Sequence, residues 1–219
     1  MSDSYWLGKS STGIWALDFA EKYPSITVEC LDANLEALPP QSWLPSNVTS
    51  RQFDLLQDIP DDLVGIYQII HIQYIMAFVL DSNIDNVVQS LLKMLKPGGY
   101  LQWTETNINR YSWVTGTGEV PVETHKLFET LRKFIAQRGE SRLWLNDFEG
   151  LLQRAGFQNA VYSAPEPRSS TLQPVMMNWI WGIEEGFGYL ATRSLPSEMK
   201  ILVENCSSNG RKLLKRRMK

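Results

Sequence analysis

The stretch NIDNVVQSLLKMLKPGGYLQWTETN, residues 83–107, holds two elements and the join between them. Ile84, Val87, Val88, Leu91, Leu92 and Leu95 recur at the 3.6-residue period of an amphipathic helix. The helix is expected to stop at KPGG, residues 96–99, where a cationic last turn meets helix-breaking residues. YLQWTETN, residues 100–107, then reads as a strand with Glu105 near its end.

The same alternation extends backwards. GIYQIIHIQYI, 65–75, is the most apolar segment and is expected to form a central strand. VTSRQFDLL, 48–56, reads as a short strand with Asp54 near its end, and SITVECLD, 25–32, as a buried strand tipped by Asp32. Residues 14–22 are rich in helix formers and Pro24 marks their limit. Strand and helix therefore alternate from residue 12 to about 107, which predicts an α/β fold with a mostly parallel sheet flanked by helices. Ligands of such sheets bind beyond the carboxyl ends of the strands, where Asp32, Asp54 and Glu105 fall.

Downstream the rhythm breaks. INRYSWVTGTGEVP, 108–121, reads as a loop, and VETHKLFETLRKFIAQRG, 122–139, as a helix; together they suggest a helical lid inserted over about 108–147. In NDFEGLLQRAGFQNAVYSA, 146–164, Asn146 or Asp147 can cap a helix, Gly156 ends it, and a strand is expected to follow. MMNWIWGIEEGFGYLA, 176–191, is aromatic-rich and expected to be helical, and the tail over about 206–219 is strongly basic.

Bulk properties narrow the function classes. A chain of 219 residues fits one domain, with 43% hydrophobic residues and 21% charged. A net charge of -3 gives no field that would attract nucleic acid. The longest apolar run, 66–80, contains His71 and Gln73 and is too short for a membrane span; residues 1–8 have no secretory pattern. Two cysteines, Cys30 and Cys206, make neither a disulfide framework nor a metal cluster, so no metal is expected and the cytoplasm is the default compartment. The basic tail reads as a solvated end, with a nuclear address or phosphate-binding arm as alternatives. Long amphipathic segments such as 179–190 leave room for a partner or a homodimer.

Taken in order, TGIWALDFAEKYP (12–24), LDAN (31–34), IIHIQYI (69–75), LLKMLKPGGYLQWTE (91–105) and WLNDFEGLLQRAGF (144–157) resemble the class I S-adenosylmethionine-dependent methyltransferases. The nearer likeness is to the LaeA-like group of fungal secondary metabolism. The resemblance runs from about Thr12 to Pro167 and implies a Rossmann-like methyltransferase fold in a single domain over 1–219. It implies S-adenosylmethionine as cofactor and a small-molecule substrate, with no nucleic acid or membrane partner. Gly13 would let the cofactor approach the backbone, Asp32 would accept the ribose hydroxyls, and Asp54 would meet the adenine amino group. Gln73, with His71 and Ile72, would lie near the methionine part. His125, His71 and Glu105 are the candidates for removing a proton.

Each of these has a plainer reading beside it. Asp32 also reads as a turn cap and Asp54 as an acid bonding its own backbone; the plainer reading leads for His71, a core histidine, and for His125, part of a solvated helix face. Trp103, Trp113, Trp179 and Trp181 line a pocket or build a core.

The chain departs from the family at the first loop. Lys9 and Ser11 stand where glycines are expected, and Leu7 where an acid is expected. Backbone angles that glycine adopts freely cost other residues about 1–3 kcal/mol each. The helices that usually precede the first strand, and the last antiparallel strand, have no good counterpart. This damage motivates two alternatives to methyl transfer: a cyclase or pericyclase on the same fold, and an inactive methyltransferase-like regulatory or binding protein.

Overall fold

The computed structural model describes residues 4–8, 13–36, 38–107, 109–110, 122, 125–126, 129, 133 and 141–164, with the backbone alone at 4–8 and 77. The chain divides into two compact units, one of Met1–Tyr111 with Arg142–Tyr162, the other of Ser112–Ser141 with Ser163–Lys219.

The first unit carries a five-stranded, all-parallel sheet in the order β3-β2-β1-β4-β5. Its strands are β1 (Ser4–Gly8), β2 (Thr27–Asp32), β3 (Val48–Gln52), β4 (Tyr67–Gln73) and β5 (Leu95–Thr104). The described helices of this unit are α1 (Ile14–Lys22), α2 (Ile84–Met94) and α3 (Phe148–Ala155). Parallel neighbours need crossovers, and α1 and α2 supply them between β1 and β2 and between β4 and β5.

Side chains alternate across the sheet and feed two cores. Val28, Cys30 and Val48 pack with Ala16 and Ala20 of α1, whose small side chains let the helix sit close to the strands. Leu31, Ile70 and Ile72 point the other way, into the larger core with Val87, Val88 and Leu91 of α2 and Leu151 of α3. Burial of the Cys30 thiol pushes its pKa up to about 11, so it acts as a small apolar side chain. The buried Tyr67 donates its hydroxyl to Glu29 at 2.5 Å, tying β4 to β2 beneath β1.

Most expected elements lie where the sequence puts them. The strand after KPGG differs in one respect: its pairing begins earlier, at Leu95. Tyr67 pairs with Leu95 and Ile69 with Tyr100, so Lys96, Pro97, Gly98 and Gly99 bulge opposite Gln68. Gly98 has φ 79°, and a Cβ on Gly99 would lie 3.0 Å from the Gln68 carbonyl oxygen; the two glycines make that bulge possible.

At α3, Asp147 takes the N-cap position and Gly156 closes the helix at φ 110°, with the Phe157 N–H bonded to the Leu152 carbonyl. The strand expected after Gly156 does not form within residues 157–164. Asn159 turns the chain at φ 55°, and Val161 is 89% exposed. A β-prone run becomes a strand only when a neighbour accepts its hydrogen bonds, and none of the described strands does so here.

In the second unit, Val122, His125, Lys126, Glu129 and Lys133 have the expected helical backbone. Trp113, Trp179, Trp181 and the basic tail lie outside the described residues. No described helix is long and apolar enough to cross a membrane.

Candidate functional site

Because the strands are parallel, their carboxyl ends share one rim. The chain runs outward from β1 through β2 to β3 on one side and from β4 to β5 on the other, so the switch point lies between β1 and β4. Cys30 and His71 both pair with residue 7 of β1 and therefore share a row. Two residues further on, past the end of β1, Asp32 and Gln73 close β2 and β4 at the rim, about 10 Å apart for two strand spacings.

Asp32 is 6% exposed. Its Oδ1 accepts the Asn34 N–H at 3.1 Å, the turn-capping bond of the plainer reading. Its Oδ2 is buried and has no hydrogen-bond partner among the described residues. A carboxylate oxygen so placed carries a desolvation cost that a ligand hydroxyl would relieve. The turn explains half of this side chain and leaves the other half for a donor from outside.

Gly13 opens α1 at φ 69°, and a Cβ there would come within 2.8 Å of Leu38 Cδ2. It is buried, and Leu38 already fills the space that another residue's side chain would need. Lys9, Ser10, Ser11 and Thr12 lie outside the described residues.

Asp54 follows the buried Phe53, whose N–H donates to the Asp32 carbonyl at 2.9 Å, so the β2 and β3 ends are tied together. Its Oδ1 accepts the Leu56 N–H at 3.0 Å, the local bond that the sequence also allowed. Gln73 ends β4, half-buried, in register with Thr104.

His71 lies one row below the rim, 1% exposed. Its Nδ1 lies 3.1 Å from Gln102 Oε1, a hydrogen bond whose direction follows the ring tautomer. Nε2 is buried and without a partner among the described residues. Burial holds its pKa below the ordinary value, against the opposing pull of the Gln102 bond, so the ring is neutral.

Glu105 has a different job from that of an open base. Its Oε2 accepts the N–H groups of Ile75 at 2.9 Å and Met76 at 3.1 Å and the Trp103 indole at 3.3 Å, while Oε1 accepts from Thr106 at 3.2 Å. Burial raises its pKa and these four bonds hold it down. The carboxylate thus clamps the 3₁₀ turn Ile75–Ala77 that follows β4 to the end of β5.

A second clamp, unforeseen from the sequence, grips the same turn. Arg142, 6% exposed, donates Nε to the Met76 carbonyl at 3.0 Å, and Asn109 donates to the Arg142 carbonyl at 3.0 Å. Nothing in the composition around Arg142 marks it, because its burial depends on contacts with residues 33 and 66 positions away. Trp103 packs against Trp144 and Phe148 with ring centroids 5.6 and 4.8 Å away, a core role. His125 is exposed in the second unit. Among the described residues, no group of three or more His, Cys, Asp or Glu is placed to hold a metal ion.

The strand order and rim carboxylate can now be set beside known proteins. The chain is 28% identical over 96 residues to "Methyltransferase grgD" of a Penicillium species, an alignment covering 43% of this chain and 32% of that one. It is 25% identical over 157 residues to "Secondary metabolism regulator LAE1" of Hypocrea atroviridis, covering 68% of this chain and 42% of that one. The relatives are fungal methyltransferases and a LaeA-like regulator. Among solved structures, the methyltransferase CalO6 superposes with a TM-score of 0.52 at 13% identity, covering 75% of this chain and 54% of that one. That likeness is one of fold: the sheet is Rossmann-like, as in that methyltransferase. No protein-family model matches the chain. The chain spans about a third of the length of the first curated relatives it matches.

Proposed function

We propose that this protein is an S-adenosylmethionine-dependent methyltransferase of the cytoplasm, acting on a small-molecule secondary metabolite. The observation that carries the reading is the buried, half-satisfied Asp32 carboxylate at the tip of β2, in the rim row that continues to Gln73. An orphaned acceptor at this rim suits the ribose diol of a nucleoside, whose hydroxyls are donors. The relatives named methyltransferases support the same reading.

The residues then take these parts. Asp32 Oδ2 accepts from the ribose. Gly13 offers backbone without a side chain at the start of α1. Asp54, whose Oδ1 is used by Leu56, offers its remaining oxygen to the adenine amino group. Gln73 faces the methionine portion. S-adenosylmethionine, when bound, supplies an electrophilic methyl group on its sulfonium. The protein's contribution is mainly placement: holding a nucleophile in line with that methyl is worth about 7–11 kcal/mol at the ideal limit. Among the expected proton acceptors, Glu105 is engaged through both oxygens and His71 is 1% exposed with Nε2 buried, so the reading rests on placement of the acceptor rather than on a base.

Isothermal titration with S-adenosylhomocysteine tests the reading. Saturable binding is expected, and transfer of labelled methyl to a small-molecule extract should follow. No heat at millimolar ligand would end it.

A further inference from the structure

Tyr74 stands immediately after β4, at the rim beside the switch point, and its backbone is in the left-handed region at φ 53°, ψ 42°. A large aromatic residue adopts that conformation only when its surroundings impose it. Here they do. The Tyr74 N–H donates to the Thr104 carbonyl at 3.0 Å. The next two N–H groups, of Ile75 and Met76, are held by Glu105 Oε2, and the Met76 carbonyl is held by Arg142 Nε. Ile75 itself is fully buried in the larger core. The strain is thus fixed from both sides, by a half-buried carboxylate and a buried guanidinium.

The side chain delivered by this arrangement is not used by the fold. Tyr74 is 57% exposed, stacks on no other ring among the described residues, and its hydroxyl has no hydrogen-bond partner among them. An interior role would account for neither the exposure nor the strained presentation. Strain held in place by dedicated clamps beside a ligand rim is the pattern of a residue that meets a ligand.

We propose that Tyr74 is an acceptor-positioning and specificity-determining residue, a fixed aromatic wall against which a planar, unsaturated or phenolic acceptor lies, with the tyrosyl hydroxyl available to its polar edge. This rests on the methyl-transfer reading for what the acceptor receives, and on the Tyr74 geometry alone for what the acceptor is. A clamped ring loses little freedom on binding, and ring stacking rewards flat ligands over puckered ones of equal size.

The test uses the full chain and two probes, planar 1-naphthol and its saturated, puckered counterpart decahydro-1-naphthol, with S-adenosylhomocysteine titrated separately. Variants are Tyr74→Phe, which keeps the ring, and Tyr74→Asn, which tolerates the left-handed backbone and removes the ring. Expected are a preference of the wild type for 1-naphthol, near retention of it in Tyr74→Phe, and about a 3- to 10-fold loss in Tyr74→Asn. S-adenosylhomocysteine affinity and melting temperature should hold in both variants. Equal binding of the two probes, or equal naphthol binding by wild type and Tyr74→Asn, would overturn the proposal. So would a parallel loss of S-adenosylhomocysteine, which would move Tyr74 into the cofactor pocket, or a melting point that falls as for a core truncation. A wild type that binds 1-naphthol as described but never S-adenosylhomocysteine would leave Tyr74 as a ligand wall and remove the methyltransferase reading instead.

Discussion

The rings of Trp15 and His71 stack with centroids 3.9 Å apart and planes 5° from parallel, coupling the first turn of α1 to the inner strand β4. With Gln102 at its edge and Trp15 on its face, His71 is packed as a neutral ring, and protonating it would bury a charge. The folded state therefore binds this proton less well than the unfolded chain, and stability falls as pH drops below the ordinary histidine value of 6.5. The slope from one such group is at most about 1.4 kcal/mol per pH unit. Glu105, with its raised pKa, acts oppositely: its contribution is present at low pH and lost as pH rises through its folded value. Comparing wild type with His71→Phe isolates the histidine. Urea unfolding at pH 7.5 and 5.5 should show a smaller acid-induced loss in His71→Phe; parallel losses would mean that His71 titrates alike in both states.

Glu105 supports a second prediction. Truncation to alanine leaves the Ile75, Met76 and Thr106 amides and the Trp103 indole without their acceptor. Unsatisfied buried donors cost about 1–3 kcal/mol each, reduced here by whatever water enters the space. Glu105→Ala should lose at least about 2 kcal/mol in denaturant unfolding, whereas Glu105→Gln, which keeps one acceptor oxygen and no charge, should lose less than half of that. A gain in stability for Glu105→Ala would show that burying the carboxylate outweighs its bonds.

A third concerns the start of α1. Gly13→Ala meets both a positive φ and Leu38 Cδ2, and should destabilise by about 1–2 kcal/mol. Leu38→Ala removes the steric contact and not the φ penalty. In a double-mutant cycle the pair should therefore be less destabilised than the sum of the singles. Strict additivity would place the whole cost in the backbone angle.

How much of this was legible in the sequence differs by element. α1 forms over residues 14–22, where helix formers run up to Pro24, and α2 over 84–94, where apolar periodicity coincides with burial at Val87, Val88 and Leu91. The strands β2 and β4 follow from β-branched runs that can bury both faces. Asp32 and Asp54 were readable as strand-end acids, since chain direction alone takes them to the rim. What escaped is whatever depends on distant partners. The clamp of Glu105 and Arg142 on the Ile75–Ala77 turn joins residues 29 to 66 positions apart, and no local pattern encodes it. The same cause, in reverse, explains the missing strand after Gly156: its residues have the propensity and lack the neighbour.

Asp32 allows the sharpest separation of fold from function. Its Oδ1 serves the turn through Asn34, while its Oδ2 serves nothing among the described residues. Asp32→Asn keeps an acceptor for the Asn34 amide and removes the buried charge, yet it replaces an acceptor by a donor where the ribose hydroxyls would meet the carboxylate. The two states of the site thus respond in opposite directions. The free protein should be as stable as wild type or more so, by up to about 1 kcal/mol, because an unpaired buried oxygen is costly. Affinity for S-adenosylhomocysteine should fall by about 10- to 100-fold, matching a charge-assisted hydrogen bond lost and a buried donor left facing another. Asp32→Ala should lose the affinity as well, and some stability through the turn. Thermal melts with and without ligand read both quantities at once: the ligand-induced rise in melting temperature should vanish in Asp32→Asn while the ligand-free melting temperature holds. If the variant is destabilised and still binds, Asp32 is a turn cap and the rim row is not where the nucleoside lies.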